Sequence, residues 1–392
     1  MNPTSDSSQN DELRAEVMAR LCLMSLNGLG PTRARWLTGG GPAVPAVAAL
    51  RSGRLPDDLE RAPAGVRRDT VDQWADALRA LNPEELLERH HGLGIEILAP
   101  GDPRWPFGED PEPPMLLFYR GDLDLLQMPN ALAIVGTRRC TSVGRTVAYE
   151  MGAEVAAAGV AIVSGLALGI DGAAHRGALD RAGAVIGVVG SGLDVVYPGA
   201  NRSLWNEVGD RGLLVSEASA GARPERWRFP ARNRLIAGLS SALLVVESHG
   251  RGGALLTVDE AVDRGLPVLA VPGSVLSPAS DGTNELLVEG AIPVRNSADV
   301  LGNLGFGVGA GLEDGDDDEA GDEEVGALFD HDADGGLNQL ASAILFEVTT
   351  GPVHIDQLIE ATGSSASEML AEVQSLVSSG RVLLDGSTVC LP

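Results

Sequence analysis

Six short segments, each built on a continuous apolar run rather than on alternating polarity, most constrain what this chain can fold into. Helical patterns separate most of them. Continuous apolar strands that alternate with helices are typical of a parallel sheet covered on both faces. The sequence therefore predicts an α/β, Rossmann-like, doubly wound and mostly parallel sheet. The six segments are ALAIVG (131–136), VAIVSG (160–165), AVIGVVG (184–190), LLVSE (213–217), ALLVVE (242–247) and PVLAVPG (267–273).

Glycine, hydroxyl and arginine residues follow the carboxyl ends of several predicted strands. In open parallel sheets these ends meet at the edge where ligands bind. Turns of this composition expose backbone amides, which suit anions. We therefore expect a binding site along this edge, containing Gly136, Thr137, Arg138, Arg139, Ser164, Gly165, Asp171, Gly190, Gly252, Gly253 and Thr257.

Positive charge is concentrated between residues 223 and 234, although the whole chain carries a net charge of −26. Aromatic rings at Trp227 and Phe229 interrupt this run, which holds a single acid, Glu225. Cations with flat rings between them suit single-stranded nucleic acid, whose bases are free to stack. A surface loop whose arginines pair with nearby carboxylates is the alternative. The arginines are Arg223, Arg226, Arg228, Arg232 and Arg234.

The sequence argues against a nucleotide cofactor, a metal and catalysis. VGTRRCTSVG lacks the G-x-G-x-x-G fingerprint, and GSGLDV carries Val195 at the third glycine position. Asp171 and His175 lie four residues apart with no nucleophile at a recognisable spacing, so we interpret them as structural. No metal-ligand spacing is present. We therefore predict no cofactor, no metal and no enzymatic activity.

The expected compartment is the cytoplasm. The three cysteines, Cys22, Cys140 and Cys390, are odd in number and widely separated, which indicates a reducing environment. The N-terminal residues MNPTSDSSQNDELR lack an apolar signal core, and no run approaches the ~20 apolar residues of a membrane span. No membrane association is therefore expected.

Five segments are predicted along the chain. A polar, disordered tail covers 1–11, and a small helical domain covers 12–92. Its turn at Gly28, Gly30 and Ala34 resembles a helix-hairpin-helix, and a tight turn in a sterile-alpha-motif-like bundle is the alternative. The sheet domain covers 93–305, with a proline-rich edge strand at its start.

The last two segments differ sharply in charge. Residues 306–336 contain a run of acids without arginine, which predicts a disordered linker and leaves open that it mimics DNA in the basic site. Residues 337–392 read helix, helix, helix and hairpin, the order of a winged helix. Its third helix carries Glu368 and Glu372 and no basic residue, which favours a protein contact over a DNA contact.

Several motifs follow one another along the predicted sheet domain: AIVGTRR, SGLALGIDGAAHRGAL, GLDVVYPGANRSL, SEASAG, FPARNRLIAGLS, LLVVES with GGALLT, and VPGSVLSPASDGTNELLVEGA. In order and spacing they together resemble the DNA-processing protein A (DprA, or Smf) family. The resemblance implies a non-catalytic protein that binds and protects single-stranded DNA and helps load the RecA recombinase during natural transformation. It also implies a homodimer and a single-strand-binding protein as a further candidate partner.

The resemblance assigns residues to the binding site motif by motif. It implies that Arg138 is a phosphate ligand beside Gly136 and Thr137, and that Ser164, Gly165 and Asp171 lie on the same edge. Phe229 is preferred to Trp227 for stacking, and Gly252 stands where the family usually has serine. The remaining implied site residues are Arg232, Asn233, Arg234, Arg251, Gly253 and Thr257.

Two other functions remain open from the sequence. The glycine turn GRGGALLTVDE resembles that of lysine-decarboxylase-like phosphoribohydrolases, which would make the protein a nucleotide-processing enzyme. That group requires P-G-G-x-G-T-x-x-E, whereas here the proline is absent and Thr257 and Glu260 are offset. The other alternative is a scaffold that binds no nucleic acid.

Overall fold

The computed structural model of the chain describes part of the sequence in detail. Two compact units are present, Met1–Leu312 and Glu313–Pro392. The domain boundaries expected within the first unit stay a prediction. The described residues are 3–54, 61–306, 340–341, 344, 353–355, 358–359, 365–378, 382–385 and 388–390.

Helices dominate the first hundred residues. Buried apolar side chains from these helices, among them Leu23, Leu50 and Trp74, form a core of their own. The first helix begins inside the segment for which the sequence predicts a loose tail. Polarity alone does not distinguish a tail from an exposed helix, so the sequence did not predict this start. The helices are α1 (Pro3–Met24), α2 (Pro31–Thr38), α3 (Ala43–Arg51), α4 (Arg68–Ala80) and α5 (Pro83–His91).

Nine described strands form the central sheet, in the order β1-β2-β6-β5-β4-β3-β7-β8-β9. From β6 to β9 all pairings are parallel, whereas β2 pairs antiparallel with both β1 and β6. The strands are β1 (Glu96–Leu98), β2 (Leu117–Gly121), β3 (Ala131–Val135), β4 (Ala161–Ser164), β5 (Val185–Val189), β6 (Leu213–Ser216), β7 (Ala242–Val245), β8 (Val268–Ala270) and β9 (Ile292–Pro293).

Helices cover both faces of this sheet. Alternate residues of β3 point to opposite faces, so that Leu132 and Ile134 belong to one core and Ala133 to the other. The first core also contains residues of α6, α7 and α8, and the second contains residues of α9, α10 and α11. These helices are α6 (Ser142–Ala157), α7 (Ile170–Asp180), α8 (Arg202–Arg211), α9 (Arg228–Gly238), α10 (Leu255–Asp263), α11 (Asp281–Glu289) and α12 (Ser297–Asn303).

The predicted α/β fold with a mostly parallel sheet is confirmed, and one edge differs from expectation. The proline-rich stretch before β3 supplies two strands, β1 and β2, where the sequence predicts one. Prolines at 111, 113 and 114 lie between these strands rather than within them. The antiparallel edge leaves the carboxyl ends of β3, β4, β5 and β7 at one side of the sheet, as expected.

The second unit is described only in part. Its elements are β10 (Val353–His354), α13 (Ala366–Ser378), β11 (Leu383–Asp385) and β12 (Thr388–Cys390), with the antiparallel order β10-β12-β11. The winged-helix arrangement stays a prediction. The acidic run at 312–334 lies outside the described residues.

Membrane-spanning helices are absent from the described part of the chain, since none of its helices is both long and apolar enough.

A buried histidine under the sheet makes stability depend on pH. His175 of α7 is inaccessible to solvent, and its Nε2–H donates to the Ile186 carbonyl oxygen at 3.3 Å. Burial lowers the pKa of His175 to about 4, against 6.5 for the exposed side chain. Only the unfolded chain binds this proton between those values. The contribution of neutral His175 to the free energy of unfolding is therefore fully present above pH 6.5, and it is lost as the pH drops towards 4.

We expect His175 to account for about 3 kcal/mol of the stability lost between pH 6.5 and pH 4. Urea unfolding of the wild type and of His175→Gln at several pH values measures this. The variant should show the smaller decline across the interval. Parallel stability profiles for the two proteins would contradict a buried, neutral His175.

Candidate nucleic-acid interface

A groove of about 910 Å³ runs along the carboxyl ends of β3, β4 and β7, and we call it the groove below. The turns after these strands form its floor, and the first turns of α9 and α10 form its wall. Polar and glycine residues predominate in it. The predicted site residues that line it are Gly136, Thr137, Arg138, Arg139, Asp171, Phe229, Arg232, Asn233, Gly252, Gly253 and Thr257.

Backbone contacts hold the turn that follows β3. The Thr137 N–H donates to the Glu247 carbonyl oxygen at 2.8 Å, which ties this turn to the end of β7. The Arg139 N–H donates to Thr137 Oγ1 at 3.2 Å. Gly169 packs so closely beneath the turn, at a φ of +81°, that a Cβ there would collide with the Thr137 carbonyl oxygen. The turn is therefore rigid, and it presents two exposed arginines, Arg138 and Arg139, at the groove.

Two aromatic rings and a guanidinium meet at one end of the groove. The ring centroids of Tyr197 and Phe229 lie 5.3 Å apart, with an interplanar angle of 43°. The Arg138 guanidinium carbon lies 5.3 Å from the centroid of the Phe229 ring. Such cation–π and ring contacts preorganise a surface on which a flat ligand can stack.

Two charged side chains of the groove, those of Arg232 and Asp171, are buried and make their contacts within the protein. Arg232 is buried, and its Nη1 donates to the carbonyl oxygens of Gly165, at 2.9 Å, and Val188. Asp171 is also buried and accepts from the N–H groups of Gly165, at 3.1 Å, and Ala167, at 3.4 Å. These two side chains therefore fix the β4–α7 loop from opposite sides.

Burial shifts the pKa of both Arg232 and Asp171 in the direction that favours the neutral form. Desolvation lowers the pKa of Arg232 to about 10, opposed by the nearby charge of Asp171, so Arg232 remains charged at neutral pH. Desolvation also raises the pKa of Asp171, opposed first by Arg232. Because each charge stabilises the other, removing either one leaves an uncompensated charge in a dry site.

The exposed cations of the groove are unpaired. Within the described residues, Arg138, Arg139 and Arg226 make no ion pair, and Asp171 is the only carboxylate among the described groove-lining side chains. The guanidinium groups therefore remain available for an anionic ligand. Arginine forks bind phosphate oxygens well because they match them in geometry.

The opposite wall of the groove offers small and neutral polar groups. Asn233 is 8% exposed, and its side-chain amide makes no hydrogen bond to the described residues. Thr257 is buried beside Gly252 and Gly253 at the start of α10. The Asn233 amide keeps contact with solvent and is therefore available to hydrogen-bond a ligand in the groove.

Several predicted site residues lie outside the groove. Gly165 lines a small cavity of about 60 Å³ that shares Arg138, Phe229 and Arg232 with the groove. Ser164 is buried and donates to the Ile134 carbonyl oxygen at 2.5 Å. Sequence reasoning placed Ser164 at the binding edge because it ends a strand, whereas its side chain points into the sheet.

The arginines of the basic stretch lie at different sites in the structure, and only some of them line the groove. Arg234 is buried and pairs with Glu217 at 2.5 Å, where desolvation raises the pKa of the carboxyl group. Arg228 lies with Gly190 in a separate cleft. Arg223 and Arg251 are exposed and do not line the groove. Arg228, Arg232 and Arg234 lie on α9, where they point in different directions around the helix axis and so cannot all reach one ligand.

Tyr197, Ser248 and His249 line the groove but are not among the residues predicted from the sequence. Arg226 also lines it, and the sequence places it in the basic stretch, although the resemblance does not assign it to the binding site. Tyr197 occurs in the motif GLDVVYPGANRSL, whose aromatic residue was the available signal. Ser248 and His249 follow the apolar segment 242–247 that contains β7, so their position after a predicted strand could have identified them.

Contacts at the N-terminal glycine turn favour a structural role for it. Arg33 donates to the carbonyl oxygens of Gly28, at 2.8 Å, and Ala64, at 2.9 Å. Arg35 donates to the Pro111 carbonyl oxygen at 3.2 Å. Both guanidinium groups are thus engaged within the protein, as the tight-turn alternative expects.

Neither metal nor hydrolase chemistry gains support from the described residues. They contain no cluster of three or more histidine, cysteine, aspartate or glutamate side chains that could hold a metal. Glu260, the acid nearest to the phosphoribohydrolase pattern, pairs with Arg264 at 2.7 Å. Its carboxylate is therefore already engaged.

Fold and site together define a class: an α/β protein with a mostly parallel sheet whose strand ends carry a groove lined by exposed arginines and glycine turns. Residues 96–305 match the family described as DNA recombination-mediator protein A. The chain belongs to this family, as the resemblance noted from its motifs predicts.

Individual relatives support this assignment. The DNA processing protein DprA of Streptococcus pneumoniae is 44% identical over 202 residues, which cover 52% of this chain and 71% of the relative. The putative DNA processing protein DprA of Mycobacterium tuberculosis is 38% identical over 279 residues, covering 68% and 69%. The X-ray structure of the S. pneumoniae protein is similar to this one with a TM-score of 0.60, at 31% sequence identity, over 74% of this chain and 97% of that chain.

Proposed function

We propose that this protein binds single-stranded DNA in the groove and mediates recombination without catalysing a reaction. The observation that carries the proposal is the convergence of three unpaired arginines and two aromatic rings on one surface. Arg138, Arg139 and Arg226 would neutralise successive phosphates. Phe229 and Tyr197 would stack on a base, which is worth about 1–3 kcal/mol.

Duplex DNA fits this surface poorly. Its bases are paired and stacked inside the helix, so the two rings would have no face to contact. The protein as a whole is also strongly acidic, which opposes binding of long duplexes outside a local patch. The groove therefore favours a strand whose bases are free.

A titration of fluorescent oligodeoxythymidine and a duplex of the same length, at several salt concentrations, tests the proposal. We expect preference for the single strand and a fall of log K with log[salt] at a slope of about −2, since three phosphates would be neutralised at about −0.7 each. Equal affinity for both forms, or no dependence on salt, would contradict the proposal. Release of free base from nucleoside monophosphates would instead support the hydrolase alternative.

The family description supports a further proposal about partners. A recombination mediator transfers its bound strand to a recombinase, and we propose RecA as that recombinase and the cytoplasm as the compartment. RecA filament formation on DNA coated with single-strand-binding protein, followed with and without this protein, measures that role. No acceleration would contradict it.

Self-association and the two end segments complete the proposal. Val275, Leu276 and Val288, on and before α11, are 85%, 90% and 89% exposed, which supports a homodimer that covers them. Sedimentation velocity measures the oligomeric state. We retain the helical N-terminal domain and the C-terminal winged helix as parts of this proposal, with the winged helix as a protein contact.

A further inference from the structure

A second cavity, which we call the cleft, lies beside the groove at the ends of β5 and β6. It measures about 430 Å³, within the range of pockets that hold small organic molecules. The turn between α1 and α2 covers it from one side, and the start of α9 closes it on the other. Apolar side chains make up much of its wall, among them Met24, Leu26, Leu29, Met115 and Leu235.

The cleft and the groove share one wall. Arg232 lines both cavities. The first turn of α9 forms the ridge between them, because the Cβ position of Gly190 in the cleft lies 3.3 Å from the Arg228 carbonyl oxygen and 3.5 Å from the Phe229 ring. On the two sides of this ridge, Phe229 lines the groove, whereas Trp227 and Arg228 line the cleft.

The two cavities differ in electrostatics. Each charged side chain that lines the cleft among the described residues has an opposite charge beside it. Glu217 pairs with Arg234 at 2.5 Å, and Arg228 pairs with Glu225 at 3.5 Å. The fourth charged side chain that lines the cleft, Arg232, is balanced by Asp171, as described above. The cleft thus has no excess charge to attract a phosphate, whereas the groove does.

A flat ring is available at the mouth of the cleft. Trp227 is 52% exposed, and its indole N–H donates to Glu225 at 2.7 Å. The Arg228 guanidinium lies 4.5 Å from the indole ring centroid and holds its orientation. A neutral heterocycle could stack on such a ring.

We propose that the cleft receives one unpaired base of the strand whose phosphates occupy the groove. This inference rests on the proposed function. The phosphates stay on the positively charged side of the ridge, and one base crosses it into the uncharged side. The base lies against Trp227, between apolar walls, and adds affinity without adding to the salt dependence.

Gly30 offers a direct way to fill the cleft. It lines the cleft immediately before α2, and a Cβ there would meet no atom of the described residues within 4 Å. Its φ of −80° and ψ of 177° are accessible to any residue. Gly30→Phe should therefore occupy the cleft with little strain, and Gly30→Ala is the matched control that leaves it open.

The experiment uses the full chain and the shortest oligodeoxythymidine that binds with full affinity. One abasic position is moved along the oligonucleotide. For the wild type and Gly30→Ala we expect one position whose loss lowers affinity by about 5- to 150-fold more than a neutral position does. Gly30→Phe should bind the intact oligonucleotide more weakly by that factor, lose this positional effect and keep the wild-type salt slope.

Wild-type affinity of Gly30→Phe, or a positional effect that persists in it, would overturn the inference. Thermal unfolding of both Gly30 variants checks their folding. If Gly30→Phe is unstable, Trp227→Ala gives the same readout and should also lose the positional effect. Absence of binding by the wild type would refute the proposed function itself, whereas wild-type binding that depends on the groove arginines but not on Gly30 or Trp227 would refute only this inference.

Discussion

Replacing Arg138, Arg139 and Arg226 together by alanine should weaken binding of oligodeoxythymidine by roughly 100-fold or more. A charge-assisted hydrogen bond contributes about 1.5–3 kcal/mol when its partner is charged, so even partial loss at three sites exceeds this factor. The slope of log K against log[salt] should become less negative by about 2, or about 0.7 for Arg138→Ala alone. Fluorescence anisotropy at four or more salt concentrations measures both quantities.

The matched control removes the same charge elsewhere. Arg176, Arg181 and Arg211 are exposed and lie on α7, just after it, and on α8, away from the groove. Their triple alanine variant has the same net charge as the groove variant. It should keep the wild-type slope and nearly the wild-type affinity. Equal losses in the two variants would show that binding follows total charge rather than the groove.

Arg232→Met should destabilise the fold by about 3–5 kcal/mol, because it breaks a buried charge pair from one side. The carbonyl oxygens of Gly165 and Val188 lose their donor, and the carboxylate of Asp171 loses its counter-charge. Urea unfolding measures the change. Arg226→Met, at an exposed position of the same groove, should leave the unfolding free energy almost unchanged.

The pH dependence of this effect has a definite sign. Without Arg232, desolvation of Asp171 is opposed only by the N–H groups of Gly165 and Ala167 and by the charge of Arg138, so its pKa rises further and the folded variant holds a proton that the unfolded chain releases at high pH. Stability of the variant should therefore fall as the pH rises, and its deficit should be larger at pH 8 than at pH 5. Asp171→Asn in the same chain should recover part of the loss. A variant with wild-type stability but weak DNA binding would make Arg232 a direct phosphate ligand instead.

The sheet was predictable from the sequence because its strands are buried on both faces. Continuous apolar runs such as those at 131–136 and 242–247 exclude most alternatives, and β3 and β7 occupy them. The edge was less predictable, since β1 has only three residues and prolines lie between it and β2. Local propensity carries little information there, and pairing with β6 decides which residues become strands.

The sequence predicts which strand ends form the site better than it predicts which side chains point into it. Residues after β3 reach the groove because a turn must expose them, and Arg138 and Arg139 do so. The directions of the Arg234 and Ser164 side chains were harder to predict. That of Arg234 depends on its position around helix α9 and on its pairing with Glu217, and that of Ser164 depends on its hydrogen bond to the Ile134 carbonyl oxygen. Tyr197 comes from a loop with no strand signal, so only tertiary structure brings it to Phe229.

Photocrosslinking tests most directly whether an unpaired strand lies in the groove. An oligonucleotide carrying a photoreactive thymine analogue is irradiated in complex with the full chain, and the crosslinked peptides are identified by mass spectrometry. Our account predicts crosslinks at Phe229 and Tyr197 that disappear when Arg138, Arg139 and Arg226 are replaced. Crosslinks confined to the N-terminal helices or to residues 337–392 would contradict it.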